Sequence, residues 1–148
     1  KTSAGVAVVV LGHFAEPYLG DLISSLKSQD CCGSKAVVFI DDGSTDSSRS
    51  ILGGAQIDGW DKSVLSQTKR GQSAARNAAL RWLMEGHFGS QVRFFLDADD
   101  MLAPDALSAA ASAVEKDRLD ELFFTGSSFF ESESLRQEFS RYETYREK

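Results

Sequence analysis

Short apolar runs alternate with longer amphipathic stretches along this chain. Residues 6–11 (VAVVVL) are uninterrupted aliphatics between Gly5 and Gly12, too short a run for a helix and apolar enough for a strand covered on both faces. Pro17 follows where a helix can begin. Leu19, Leu22, Ile23 and Leu26 then recur at three- and four-residue spacing, which predicts an amphipathic helix that stops near Gln29. Residues 36–40 (AVVFI) predict a second buried strand, followed by the polar turn 41–46 (DDGSTD) and a short helix to Leu52 that Ser44 or Thr45 caps. Residues 53–61 read as a loop and 63–67 as a weaker third strand. Residues 72–84 predict a helix with Ala75, Ala79, Leu80 and Leu83 facing inward, Gly71 marking its approach and Gly86 its exit. A fourth strand at 92–96, a helix at 104–117 and a fifth strand at 122–125 complete the alternation. Strands alternating with helices in this way predict an α/β fold, a three-layer α/β/α arrangement around a mainly parallel sheet. The domain spans residues 1–130; residues 131–148, with Leu135, Phe139, Tyr142 and Tyr145 among charges of both signs, read as a peripheral amphipathic helix or a partner-docking arm.

Composition narrows the function classes. The 148 residues are 42% hydrophobic and 26% charged, enough for one domain with a real core. Sixteen Lys and Arg against 22 Asp and Glu leave a formal charge of −6, which argues against broad attraction to nucleic acid or an anionic membrane while permitting a local cationic pocket. No apolar run approaches the roughly 20 residues of a membrane-spanning helix. Residues 1–5 lack the h-region of a signal peptide, and without an initiator Met the chain is expected to be a piece of something longer. Cys31 and Cys32 are adjacent, so a disulfide framework is excluded; they read as two reduced thiols in a loop, with metal or redox chemistry the alternative, and suit a reducing compartment, the cytoplasm or the cytoplasmic face of a membrane.

In open α/β sheets ligands bind outside the carboxyl ends of the strands. Three polar clusters fall there: His13 and Glu16 after the first strand, Asp41 and Asp42 after the second, and Asp97, Asp99 and Asp100 after the fourth. They line one rim if those three strands are neighbours. Two like charges about 5 Å apart repel by roughly 3 kcal/mol at an effective dielectric near 20, so three acids within four residues at the edge of a core call for a cation. Carboxylate oxygens suit Mg²⁺ or Mn²⁺, which keep positions free for substrate phosphates; helix capping alone needs only one acid. An aspartate at a strand end, such as Asp42, can accept the imide N–H of a base, with Gly43 permitting the tight turn; the competing reading is a turn and N-cap motif. Lys69, Arg70 and Arg76 gather cations near a helix start, a diphosphate contact or a solvated basic face. No Gly-x-Gly-x-x-Gly follows the first strand, no Gly-Lys-Ser/Thr is present, and His13, His87 and the two cysteines show no zinc spacing.

Taken in order, residues 16–19 (EPYL), 39–46 (FIDDGSTD), Gly71 with 75–78 (ARNA), and 95–100 (FLDADD) followed by Pro104 and Asp105 resemble the nucleotide-binding half of family 2 glycosyltransferases of the GT-A fold. The resemblance runs from about residue 6 to 130 and implies a Rossmann-like domain, here truncated. By that resemblance Asp42 recognises the base, usually uracil of a UDP-sugar, Arg76 lies near the diphosphate, and Asp97 and Asp99 form the Asp-x-Asp pair that holds Mn²⁺ or Mg²⁺. His13 falls at the family's Tyr position, against the base, in a segment (Leu11, Gly12, His13, Phe14) that departs from the usual Pro-Val-Tyr-Asn. No catalytic base is assigned, since Glu131 and Glu133 match no family motif. The expected activity is metal-dependent transfer of a sugar from a nucleotide-sugar donor to an acceptor hydroxyl. The alternatives are a non-catalytic nucleotide-sugar-binding or scaffold domain, and a nucleotidyltransferase, which normally carries a glycine-rich basic loop after its first strand.

Overall fold

The computed structural model describes residues 5–30, 33–87 and 92–117. Its elements run β1 (Val6–Gly12), α1 (Glu16–Lys27), β2 (Lys35–Asp41), α2 (Ser48–Gly54), β3 (Trp60–Ser66), α3 (Gln72–Trp82), a π-helical turn (Leu83–His87), β4 (Val92–Asp97) and α4 (Ala106–Asp117). Among the described residues the strands form one sheet in the order β3-β2-β1-β4, every pair parallel. The α/β class and the layered arrangement are therefore as expected. The cysteine pair, the fifth strand and the segment 131–148 lie outside the described residues.

β1 is central and buried on both faces, which is why its sequence is continuously apolar. Val6, Val8 and Val10 alternate onto one face, packing with Leu19, Leu22, Ile23 and Leu26 of α1 and with Leu107 and Ala111 of α4. Ala7, Val9 and Leu11 face the other way, against Ala75 and Ala79 of α3 and Leu83. Small alanines on α3 let that helix lie close to the sheet, while the bulkier leucines of α1 fill the opposite layer.

Several boundaries differ from expectation. α1 ends at Lys27, and Gln29 is buried beyond it. The Gln29 amide donates to the carbonyls of Ser25 (3.0 Å) and Ala103 (2.8 Å) and accepts the Leu107 N–H (3.1 Å), joining the end of α1 to the start of α4. β3 starts three residues before residue 63, because its ladder with β2 begins at Lys35 opposite Trp60. The charged Lys62 is accommodated there by donating its ammonium to the Leu52 (2.8 Å) and Gly53 (3.1 Å) carbonyls at the end of α2. The α3 helix gives way to a π turn after Trp82, and Gly86, expected as the exit, lies within it. α4 begins at Ala106, since Pro104 is taken up in a preceding turn whose carbonyl accepts the Asp30 N–H (3.1 Å).

Candidate active site

Because β1 lies between β2 and β4, its carboxyl end is flanked by both acidic clusters. Gly12 pairs with Asp41 and Leu11 with Asp97. The two acids thus stand about 10 Å apart across β1, two strand spacings. Backbone bonds carry the ladder into the loops: the Asp42 N–H donates to the Gly12 carbonyl (2.9 Å) and the Ala98 N–H to the Leu11 carbonyl (2.8 Å). The rim is tight, since a Cβ on Gly12 would meet the Ala98 Cβ at 3.0 Å.

The turn after β2 is a junction of loops. Buried Asp41 accepts the Ser44 N–H (3.2 Å) and lies 3.9 Å from the Arg49 guanidinium. Ser44 does not cap α2, and Thr45 does not either: Ser47 stands at the N-cap position with no side-chain cap bond. The Ser44 hydroxyl instead accepts the Phe14 N–H (2.9 Å) from the loop after β1. That contact holds Phe14 at a φ of +52°, the one left-handed non-glycine among the described residues. The first turn of α2 takes its acceptors from elsewhere, Glu16 for the Ser47 N–H and Asp46 for the Ser48 N–H, each at 3.0 Å.

Asp42 is buried and turned toward the segment between β3 and α3. Its Oδ1 accepts the Gln67 amide (2.9 Å) and the Arg70 N–H (2.8 Å), and its Oδ2 accepts the Gly71 N–H (3.0 Å). Burial alone would push this carboxyl up, but those hydrogen bonds and the neighbouring His13 outweigh it and hold it below the ordinary value of 3.8. Gly43 makes the approach possible. Its φ is +81°, and a Cβ there would sit 2.9 Å from the Lys69 backbone nitrogen.

Asp97 is half-buried at the end of β4, with Asp99 and Asp100 exposed beyond it. The Asp100 N–H closes a turn on the Asp97 carbonyl at 3.0 Å, and one oxygen from each of the three carboxylates lies within 4.8 Å of the others. Val92, Phe94 and Leu96 belong to the α1 side, so alternation turns Asp97 to the α3 side, the side on which Asp42 finds its partners. Partial desolvation, then Asp99, then Asp97 push the Asp100 carboxyl up. Crowded hard carboxylate oxygens are a donor set that fits a divalent cation.

His13, Asp42, Asp97 and Asp99 thus share one rim. The His13 Nδ1 is buried without a hydrogen-bond partner among the described residues, and its ring lies 4.1 Å from that of Phe14. Arg76 is exposed in the second turn of α3, the helix whose entry loop Asp42 secures. Two residues of this region were not expected: Ser44 as the tie to the β1 loop, and Gln67 as a partner of Asp42. The only sequence signal for Gln67 is a polar side chain where the apolar pattern of β3 ends.

Comparison with known proteins agrees with the fold. The profile of glycosyl transferase family 2 matches residues 7–147, and the chain belongs to that family. No curated protein matches. Among solved structures, S. aureus TarS superposes with a TM-score of 0.68 at 24% identity, over 86% of this chain and 24% of that one. Its 1-349 form in complex with UDP-GlcNAc gives 0.67 at 24% identity, over 85% of this chain and 38% of that one. Mannosyltransferase PcManGT from Pyrobaculum calidifontis, in complex with GDP-Man and Mn2+, gives 0.60 at 26% identity, over 74% and 31%. The chain therefore spans less than half the length of each of these proteins, with which it shares the GT-A fold.

Proposed function

We propose that this chain is the donor-binding domain of a divalent-metal-dependent glycosyltransferase that moves a sugar from a UDP-sugar to an acceptor hydroxyl. The observation that carries the reading is the strand order β2-β1-β4, which brings the acids after β2 and β4 to one rim on either side of His13. Asp42 accepts the imide N–H of the base, and His13 lies against the ring. Arg76 faces the diphosphate, and Asp97 and Asp99 hold Mn²⁺ or Mg²⁺, Asp99 as the direct ligand. When bound, the cation neutralises the charge that develops on the departing diphosphate. The family match and the donors named for the related structures support this reading.

Titration calorimetry of the chain with UDP, with and without Mn²⁺, tests it. Asp99→Ala is expected to abolish the Mn²⁺-dependent part of UDP binding while leaving the melting temperature and far-UV spectrum intact. Unchanged UDP affinity in that variant refutes the assignment.

A further inference from the structure

We infer that Gln67 is a positioning residue for base choice, acting through the Asp42 carboxylate; the inference rests on the donor-binding reading above. The Gln67 N–H donates to the Asp41 carbonyl (3.0 Å), extending the β2–β3 ladder one step past the Asp41–Ser66 pair. With its backbone held by the sheet, its amide reaches Asp42 Oδ1 at 2.9 Å. An ionised carboxylate has about four acceptor directions. Three are in use among the described residues: Gln67 and the Arg70 N–H fill Oδ1, and the Gly71 N–H takes one direction on Oδ2.

One acceptor direction therefore remains, on Oδ2. The imide edge of uracil offers a single N–H and needs one acceptor. The corresponding edge of guanine offers two adjacent donors, the ring N–H and the exocyclic amino group, and pairs best with both oxygens of a carboxylate. With Oδ1 already filled, the second guanine donor would be left buried and unpaired, a penalty uracil does not incur. The Arg70 and Gly71 donors are backbone groups present whatever side chains stand there. Gln67 is the part of this clasp that a side-chain change can remove.

The test is calorimetry of the full chain with UDP and, separately, with GDP, both in saturating Mn²⁺. The wild type is expected to prefer UDP. Gln67→Met keeps the length and shape but donates nothing, so it is expected to narrow the UDP-to-GDP ratio by about tenfold, the scale of one hydrogen bond to a charged group. Most of the change should come from tighter GDP binding. The ratio is the readout because a merely loosened loop weakens both nucleotides together. In an Asp42→Asn background the added Gln67→Met should leave the ratio unchanged, since the carboxylate through which Gln67 acts is gone. Gln67→Leu gives the same comparison if the Met variant does not fold. An unchanged ratio in a folded variant, or a wild type that prefers GDP, overturns the role of Gln67 and leaves the donor site standing. A wild type that binds neither nucleotide overturns both.

Discussion

Asp42 and Asp100 stand on the same rim in opposite electrostatic situations. For Asp42, burial is outweighed by donors from Gln67, Arg70 and Gly71, so its folded value lies below 3.8. It therefore contributes stability that is fully present above the unfolded value and is lost as pH falls through the folded one. Asp100, exposed, is pushed up by partial desolvation and by Asp99 and Asp97. Its sign is reversed: the folded chain holds that proton more tightly, which favours folding below 3.8 and turns into a penalty as pH rises through the raised value. Asp42→Asn is expected to lower stability near pH 7 by about 2 kcal/mol, the scale of lost charge-assisted bonds, with the difference shrinking below the unfolded carboxyl value. Asp100→Asn is expected to raise stability at pH 7 in the absence of metal and to have no effect in acid. Urea unfolding at both pH values checks the pair, and equal effects at the two pH values would contradict the ionisation argument.

At the scale of elements, single side chains join pieces distant in sequence, and these junctions divide what the sequence showed from what it did not. β1 and β2 were legible because central strands of a parallel sheet are apolar on both faces, β4 because Val92, Phe94 and Leu96 give it one apolar face, and α1 because Leu19, Leu22, Ile23 and Leu26 form one stripe. The start of β3 was not, because Lys62 interrupts the apolar run with a charge whose partners are α2 carbonyls. The true role of Ser44 was hidden for the same reason: an N-cap is a local pattern, whereas its bond to Phe14 spans 30 residues. The acids at the strand ends were readable as candidates, but their sharing a rim depended on strand order, which no local pattern encodes. Gln29 offers a quantitative test of such a junction. Gln29→Leu leaves the buried Leu107 N–H without its partner, while the Ala103 carbonyl keeps the Ala106 N–H, and is expected to cost about 2 kcal/mol in urea unfolding, at roughly 1–3 kcal/mol per buried unsatisfied group. Ser108→Ala removes an exposed bond to Asp30 (2.7 Å) at the same α1–α4 junction and is expected to cost no more than about 0.5 kcal/mol. Similar losses in the two variants would mean that burial is not what makes the Gln29 contacts matter.

At the scale of the molecule, β1 separates two half-sites of unlike chemistry. On the β2 side, Asp42 and the loop before α3 form a hydrogen-bonded junction; on the β4 side, Asp97, Asp99 and Asp100 present crowded negative charge. Neither half is complete for a nucleoside diphosphate, because the acids repel its phosphates and a cation among them has no contact with the base. In the proposed reading a ligand that spans about 10 Å across β1 would unite them, its phosphates meeting a cation held by the acids while its base reaches Asp42. Cation and nucleotide should therefore bind cooperatively. In thermal unfolding, Mn²⁺ alone and UDP alone are each expected to raise the melting temperature slightly. Together, at 100 times the coupled dissociation constant, they should add about 2.7 kcal/mol, a rise of roughly 5–10 °C for a domain of this size. Asp99→Ala should remove the cooperative part and leave the small effect of UDP alone, since the base half of the site lies across β1 from the substitution. Shifts that merely add would mean that the two acidic clusters, though neighbours on the sheet, do not share a ligand.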